Sequence, residues 1–190
     1  MAALLEDLGA APHLLPIARD TAASLRHSFE LARGADLIIT IGGASVGDHD
    51  LVASVAAEMG MEQSFYKVAM RPGKPLMAGQ LEGAAMIGLP GNPVSAMVCG
   101  TVFVAPVIRA MLGMGKHAAP ETLLPLAVDM PTNGPREHYM RARITGGAVT
   151  PDQQQDSALL GVLARADALL VRPPNDPAQS AGAMVRVINL

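Results

Sequence analysis

An apolar run, Leu37-Ile38-Ile39, opens directly into the stretch 40–50, which reads TIGGASVGDHD. A connecting loop needs one glycine or two, whereas this stretch has three glycines, a serine and two aspartates. In open α/β sheets, ligands bind in loops that follow the carboxyl ends of the strands. The stretch therefore predicts a strand that ends in a loop whose backbone comes close to a polar ligand.

Strands alternate with helices over the first 112 residues. Hydrophobic spacing, caps and Gly or Pro stops predict helices over 2–8, 22–32, 51–59 and 92–112, and strands over 36–41, 64–70, 76–78 and 84–89. These strands are apolar along most of their length, which is typical of a sheet covered on both faces. We therefore expect an α/β fold with a doubly wound, mostly parallel sheet.

The pattern changes near 113–120, where GMGKHAAP has the composition of a linker. Beyond it, short alternating segments are separated by turn residues, as in a small all-β domain. The expected strands are 123–128, 138–144, 168–171 and 184–188. We place the α/β domain at 1–116 and the β domain at 117–190.

Composition excludes several classes of protein. The net charge of −3 gives no basic face for nucleic acid. A single cysteine, Cys99, cannot form an internal disulfide, which fits a reducing compartment. The uncharged stretch 83–108 contains Pro90 and Pro93, which interrupt a membrane-spanning helix. The first residues do not have the pattern of a secretory signal. We expect a cytoplasmic protein with no nucleic-acid or membrane partner.

Three loops are candidates for chemistry: the one that holds Asp20, the glycine stretch that ends at Asp50, and LPGNPVS at 89–95. The last begins a helix whose free N–H groups favour an anion. The motif RPGKP at 71–75 adds two cations, Arg71 and Lys74. Together these features predict a cradle for phosphate or another oxyanion, with Asp20 and Asp50 as ligands of a cation such as Mg²⁺.

Each of these features also has a simpler interpretation. The glycine stretch matches neither GxGxxG nor a P-loop, and Asp48 or Asp50 in it is a good helix cap, as is Asp20 for the helix from 22. Lys67 and Arg71 would share one face of the strand 64–70, where two cations repel each other unless an anion separates them. An exposed edge strand with protective charges explains the same pair.

Taken together, GGASVGDHD, KVAMRPGKP and GLPGNPVSA resemble the molybdopterin molybdenumtransferase family, which comprises bacterial MoeA and the gephyrin E domain. The tail, RADALLVRPP followed by AGAMVRV, is similar to the last domain of that family. The order and spacing of the motifs agree along essentially the whole chain. The resemblance implies a MoaB/Mog-like α/β domain followed by a small β domain.

The resemblance also implies an activity and its residues. Such enzymes insert molybdate into adenylylated molybdopterin and release AMP, assisted by a divalent cation such as Mg²⁺. Asp20, Asp50, Lys67 and Arg71 fall on catalytic positions, with the two aspartates as metal ligands, although Arg71 replaces the usual lysine. The implied substrate-binding residues are Gly42, Gly43, Ser45, Gly47, Lys74, Pro90, Gly91, Asn92, Pro93, Ser95 and Ser157.

Members of this family are longer and have two further domains upstream. The chain is therefore expected to be a C-terminal portion that lacks the first strand of its sheet, and to have reduced activity alone. A homodimer and contacts with other molybdenum-cofactor biosynthesis proteins are expected. Two alternatives stay open: a non-catalytic molybdopterin-binding scaffold, and the related molybdopterin adenylyltransferase, which lacks the trailing β domain.

Overall fold

The computed structural model describes residues 1–43 and 51–190. The chain divides into two compact units. Unit 1 comprises Met1–Val68 and Gly73–Gly100, and unit 2 comprises Ala69–Pro72 and Thr101–Leu190. The sequence predicts a domain boundary between residues 116 and 117, and that boundary stays a prediction.

Unit 1 contains a four-stranded sheet in the order β1-β5-β4-β2. Its strands are β1 (Leu37–Ile41), β2 (Glu62–Tyr66), β4 (Met77–Leu81) and β5 (Ala84–Leu89). The intervening strand in chain order, β3 (Met70–Arg71), belongs to unit 2. Its helices are α1 (Ala2–Asp7), α2 (Ala22–Leu31), α3 (Leu51–Glu58) and α4 (Pro93–Cys99).

One face of this sheet packs against α2 and α3. Phe29 of α2 and Val55 of α3 share a buried cluster with Ile38, Met77 and Met86 of three strands. Side chains alternate across a strand, so Ile87 and Leu89 point to the opposite face, and they are buried as well. The sheet is thus covered on both faces, as the apolar strands predict.

The pairing of the strands differs from the expectation of a mostly parallel sheet. β1 pairs with β5 in parallel, but β4 pairs antiparallel with both β5 and β2. The reason is local: Glu82-Gly83 forms a two-residue turn between β4 and β5, and two strands joined by so short a turn must run antiparallel. The sheet is therefore mixed, and the strand expected at 76–78 extends to Leu81.

The helix that begins at Pro93 continues to Met111, through a π-helical turn at Gly100–Val104 and then α5 (Ala105–Met111). The turn lies just before Pro106, which has no N–H to donate to the preceding turn. Among the described residues, this one helix is long and apolar enough to cross a membrane, by length and composition alone. Half of its apolar window is buried inside the protein, which is also the pattern of a core helix.

Beyond the end of α5 at Met111, unit 2 is a small β domain that contains the short helix α6 (Leu160–Leu163). Its sheet has the order β3-β7-β9-β10-β6, with β8 paired to β7. The strands beyond β3 are β6 (Thr122–Pro125), β7 (Glu137–Thr145), β8 (Ala148–Pro151), β9 (Ala168–Arg172) and β10 (Met184–Asn189).

A bridge between Leu126 and Val149 joins the end of β6 to β8 and closes the strands into a barrel. Its interior is aliphatic and includes Ala142, Leu170 and Val187. β8 is a strand that the sequence did not predict; it follows β7 through the turn Gly146-Gly147, and both glycines have positive φ, as a type I′ hairpin requires.

Candidate functional site

The first residues of two predicted loops of unit 1 lie against each other at the carboxyl ends of β1 and β5. The N–H of Gly42 donates to the carbonyl of Leu89 at 3.0 Å, which extends the β1–β5 pairing by one residue. A Cβ built on Gly91 would lie 3.2 Å from the Cα of Gly42, and one built on Gly42 would lie 3.6 Å from the Cα of Gly91. Glycine at both positions lets the two backbones approach closely, because neither residue has a side chain at this contact.

The next residue, Gly43, is tightly placed against α3, because a Cβ there would lie 2.4 Å from Cγ2 of Val52. Three further predicted residues, Ser45, Gly47 and Asp50, lie outside the described residues. Their assignment rests on the sequence alone and stays a prediction.

The LPGNPVS motif forms a rigid start to α4. Pro90 is buried, and Asn92 caps the helix by accepting the N–H of Val94 on its side-chain oxygen at 3.2 Å. Pro93, the first helical residue, has no N–H. The start of α4 therefore offers an anion fewer free N–H groups than the sequence predicts. The N–H of Val94 is used by the cap, and Pro93 has none. Ser95 is buried one turn into the helix.

Asp20 is exposed and lies just before α2. The cap of that helix is Thr21, whose hydroxyl accepts the N–H of Ser24 at 3.3 Å. The interpretation of Asp20 as the cap is thus wrong, because the neighbouring threonine has that role. The carboxylate is not used by the helix, and its assignment as a ligand stays a prediction.

Lys67 and Arg71 do not share a strand, contrary to the prediction of one strand over 64–70. β2 ends at Tyr66, and Lys67 has a φ of 68°, which turns the chain out of the strand. The N–H of Lys67 donates to Leu76 at 2.8 Å, while Arg71 pairs in β3 with His138 of β7. The prediction that Lys67 and Arg71 repel each other on one strand face is therefore wrong, and each cation has its own surroundings.

Within unit 1, the side chains of Lys67 and Lys74 are exposed. The amine of Lys67 lies 4.7 Å from the centre of the Tyr66 ring, a favourable cation–π contact. The backbone carbonyl of Lys74 accepts the N–H of Val68, so the RPGKP turn is held by backbone hydrogen bonds while its lysine side chain points to solvent.

Unit 2 contains a cluster that the sequence did not predict: His138 and Arg141 are buried, and the exposed Arg71 pairs with His138. Arg141 is completely buried, yet its Nε and Nη1 have no hydrogen-bond partner, and neither has Nε2 of His138. Only Nη2 of Arg141 is satisfied, by the carbonyl of Asp156 at 3.2 Å. Buried polar groups almost always have partners, so this cluster is a place where a ligand is expected.

The charges around His138 and Arg141 make this region positive. The pKa of His138 is lowered to about 4, first by burial and then by the positive charges of Arg71, Arg141, Arg136 and Arg172. Burial also lowers the pKa of Arg141, and the charge of Arg71 adds to that effect, while Asp152 and Asp156 oppose it. The histidine is therefore neutral near pH 7, beside two cations, and an anion placed there would relieve their repulsion.

The sequence carries only a weak signal for this cluster. Arg141 stands between Met140 and Ala142 in the middle of a strand, where a charged residue is unusual but is often exposed. Arg141 contacts the loop that follows β8, through hydrogen bonds with Gln155 and Asp156. The spacing of residues in the sequence does not show that this loop lies against β7. Ser157, the one predicted site residue in this loop, is half-buried directly after Asp156.

Comparison with known proteins identifies the family of both parts of the chain. Residues 1–110 match a family model described as a probable molybdopterin binding domain, and residues 124–190 match one described as the MoeA C-terminal region, domain IV. The chain belongs to the MoeA family of molybdopterin molybdenumtransferases. The resemblance is thereby confirmed, together with the fold class of an α/β domain followed by a small β domain.

Individual relatives support the same assignment. The molybdopterin molybdenumtransferase of Nostoc sp. is 33% identical over 206 residues, which cover 100% of this chain and 46% of the relative. That of Haemophilus influenzae is 43% identical over 115 residues, which cover 60% of this chain and 26% of the relative. A crystal structure of a MoeA protein from Pyrococcus horikosii has a TM-score of 0.82 and 27% identity, covering 99% of this chain and 46% of that one. The chain spans about half the length of the curated relatives it matches.

The described residues do not by themselves form a Mg²⁺ site. Residues 1–43 and 51–190 contain no group of three or more His, Cys, Asp or Glu side chains that could hold a metal. One exposed carboxylate, Asp20, does not meet the needs of an ion that prefers six oxygen ligands.

Proposed function

We propose that this chain provides the molybdate- and molybdopterin-binding parts of a molybdopterin molybdenumtransferase. In the proposed reaction, molybdate is inserted into adenylylated molybdopterin and AMP is released. The observation that carries the proposal is the cluster of unit 2, in which the buried side chains of Arg141 and His138 have unsatisfied nitrogens near the exposed Arg71.

An oxyanion is the ligand that fits this cluster best. Molybdate is a tetrahedral dianion whose four oxygens accept hydrogen bonds, and guanidinium groups bind such oxyanions with several N–H donors. The two free nitrogens of Arg141 lie on a completely buried side chain, where hydrogen bonds to an anion are stronger than in water. In this proposal Arg141 and Arg71 hold the oxyanion, and neutral His138 adds one hydrogen bond.

The close approach of Gly42 and Gly91 supports a second part of the proposal within unit 1. Backbone that is free of side chains can come close to a phosphate, as in other phosphate-binding glycine loops. We propose that this pair of loops binds the phosphate end of adenylylated molybdopterin, with Lys67 and Lys74 as exposed cations. Asp20 and Asp50 stay proposed ligands of Mg²⁺, and the cytoplasm is the proposed location.

A homodimer is also part of the proposal. β1 is an edge strand of its sheet, and among the described residues no strand pairs with its outer side. Ile17, in the apolar run at 14–18, is 98% exposed and lies in neither a helix nor a strand. An open strand edge and exposed apolar side chains favour association with a second copy or with another molybdenum-cofactor biosynthesis protein.

The activity is tested by incubating the chain with adenylylated molybdopterin and molybdate, and measuring AMP by chromatography. We expect AMP release that depends on molybdate and falls about a hundredfold in Arg141→Met, which is the scale for loss of one charge-stabilising donor. Arg143→Met, an exposed arginine on the same strand, is the matched control and should have no effect.

Other results would favour the alternatives. Release of pyrophosphate from ATP and molybdopterin, without a need for molybdate, would indicate an adenylyltransferase. Molybdopterin binding without AMP release, together with no molybdate binding in calorimetry, would indicate a scaffold. Either result would overturn the proposed reaction.

A further inference from the structure

The pairing of β7 with β8 ends in an unusual way next to Arg141. The regular pairing runs from Thr145 opposite Ala148 to Ala142 opposite Pro151. The next step of an antiparallel ladder would join Arg141 and Asp152 by two backbone hydrogen bonds. One of them forms, since the N–H of Asp152 donates to the carbonyl of Arg141 at 2.9 Å. The other is replaced, because the N–H of Arg141 donates to the side chain of Gln155 at 3.0 Å.

The carboxamide of Gln155 takes the place of a peptide group at this step. Its Oε1 accepts from Arg141, and its Nε2 donates to the carbonyl of Arg141 at 2.9 Å and to that of Asp152 at 2.7 Å. A carboxamide has one acceptor oxygen and two N–H donors, and all are used here. Glutamate has no donor for the two carbonyls, and an apolar side chain has no polar group for any of the three bonds.

This arrangement turns the chain after Asp152 out of the sheet and over Arg141. The loop is closed further by its own aspartates: Asp152 accepts the N–H of Gln154 at 3.0 Å, and Asp156 accepts the N–H of Ala158 at 2.9 Å. The carbonyl of Asp156 then accepts Nη2 of Arg141 at 3.2 Å. Because the guanidinium is planar and rigid, holding this one nitrogen sets the direction of Nε and Nη1, which have no partner.

We propose that Gln155 is a positioning residue for oxyanion binding. By closing the end of the β7–β8 ladder it holds the loop 152–156 against Arg141, and so fixes the guanidinium with two of its nitrogens unpaired. The identity of the ligand as molybdate rests on the proposed function, whereas the positioning of Arg141 does not. Gln155 itself does not contact the oxyanion.

The test uses the full ¹⁵N-labelled chain and three variants. Gln155→Leu removes all three hydrogen bonds, Gln155→Asn keeps the carboxamide on a side chain one methylene shorter, and Gln154→Leu is the matched control because Gln154 is the exposed neighbour. Three quantities are measured: hydrogen exchange of the Arg141 and Asp152 amides, the NMR signal of the Arg141 Nε–H, and the Kd for sodium molybdate by calorimetry.

In Gln155→Leu we expect both amides to exchange about tenfold faster or more, the Nε–H signal to move or broaden, and the Kd for molybdate to rise about tenfold, equivalent to 1.4 kcal/mol. The Kd is measured well below the thermal midpoint of each variant, so that a loss of affinity is not a loss of fold. Gln155→Asn should lie between Gln155→Leu and the unaltered chain, and Gln154→Leu should match the unaltered chain in all three quantities.

The outcomes separate this inference from the proposed function. If the unaltered chain does not bind molybdate, the proposed function fails, while a changed Nε–H signal in Gln155→Leu still supports the positioning of Arg141. If Gln155→Leu leaves amide exchange and the Nε–H signal unchanged, the positioning role is overturned whatever the affinity. If the loop loosens but the Kd for molybdate stays the same, Gln155 holds the loop without affecting the ligand, and the proposal is wrong.

Discussion

Replacing Arg141 by methionine should make the protein more stable. The guanidinium is completely buried, two of its nitrogens lack partners, and its charge lies close to that of Arg71. Methionine has a similar length and fits irregular apolar space without polar atoms. A buried arginine that served the fold would be paired on all sides, as Arg172 is, with Asp176 and three backbone carbonyls.

The expected gain in stability is the cost of the unsatisfied N–H groups of Arg141 minus the contribution of the one hydrogen bond that the variant loses. Each unsatisfied buried N–H costs about 1–3 kcal/mol, so the two free nitrogens of Arg141 cost about 2–6 kcal/mol. The bond from Nη2 to Asp156, lost in the variant, contributes about 1.5–3 kcal/mol as a charge-assisted hydrogen bond. The attraction of Asp152 and Asp156 reduces the gain further. We expect Arg141→Met to raise the free energy of unfolding by about 1–2 kcal/mol.

The assay is urea unfolding followed by circular dichroism. With a slope of about 2 kcal/mol per molar urea, the midpoint should rise by about 0.5–1 M at an unchanged slope. Arg143→Met on the same strand is exposed and should stay within about 0.5 kcal/mol of the unaltered chain. A loss of about 3 kcal/mol or more in Arg141→Met would show that Arg141 is a paired structural group, and the reasoning about a ligand site would be refuted.

Two further predictions concern packing and pH. Gly79→Ala would place a Cβ 2.4 Å from the carbonyl oxygen of Glu62 on the neighbouring strand, and it should lower the free energy of unfolding by about 1–3 kcal/mol. Gly134→Ala, where a Cβ meets open space, should change that free energy little. Equal effects of the two substitutions in urea unfolding would contradict the pairing of β2 with β4. The pKa of His138 is about 4 when folded, against 6.5 when unfolded, so the unfolded chain binds more protons and stability should fall as pH drops from 6.5 to 4. His138→Gln should reduce that fall, and an unchanged pH dependence would show that the histidine is not buried in its neutral form.

Local signals made much of the fold predictable from the sequence. The helix at Ala22–Leu31 and the strand at Ala84–Leu89 follow from hydrophobic spacing and from clear stop residues. Gly42 and Gly91 lie close together because the carboxyl ends of paired parallel strands lie at the same edge of a sheet, while the cradle for a ligand stays a prediction.

Features that depend on distant contacts were not predictable. A lysine with positive φ at position 67 is held by bonds to residues 74–76, and β3 finds its partner in a strand more than sixty residues later in the sequence. Neither has a local signature, so one strand was expected where there are two short ones. Arg141 was missed for the same reason, since its burial follows from Gln155 and the loop 152–156.

The central claim is that the buried nitrogens of Arg141 bind an oxyanion. Calorimetric titration of sodium molybdate into the chain, its Arg141→Met variant and the Arg143→Met control tests it most directly. The account predicts saturable binding by the unaltered chain and the control, and an affinity lower by about tenfold or more in Arg141→Met, although that variant is the more stable protein. Equal affinity in Arg141→Met and the unaltered chain would contradict the claim, as would the absence of saturable binding by the unaltered chain.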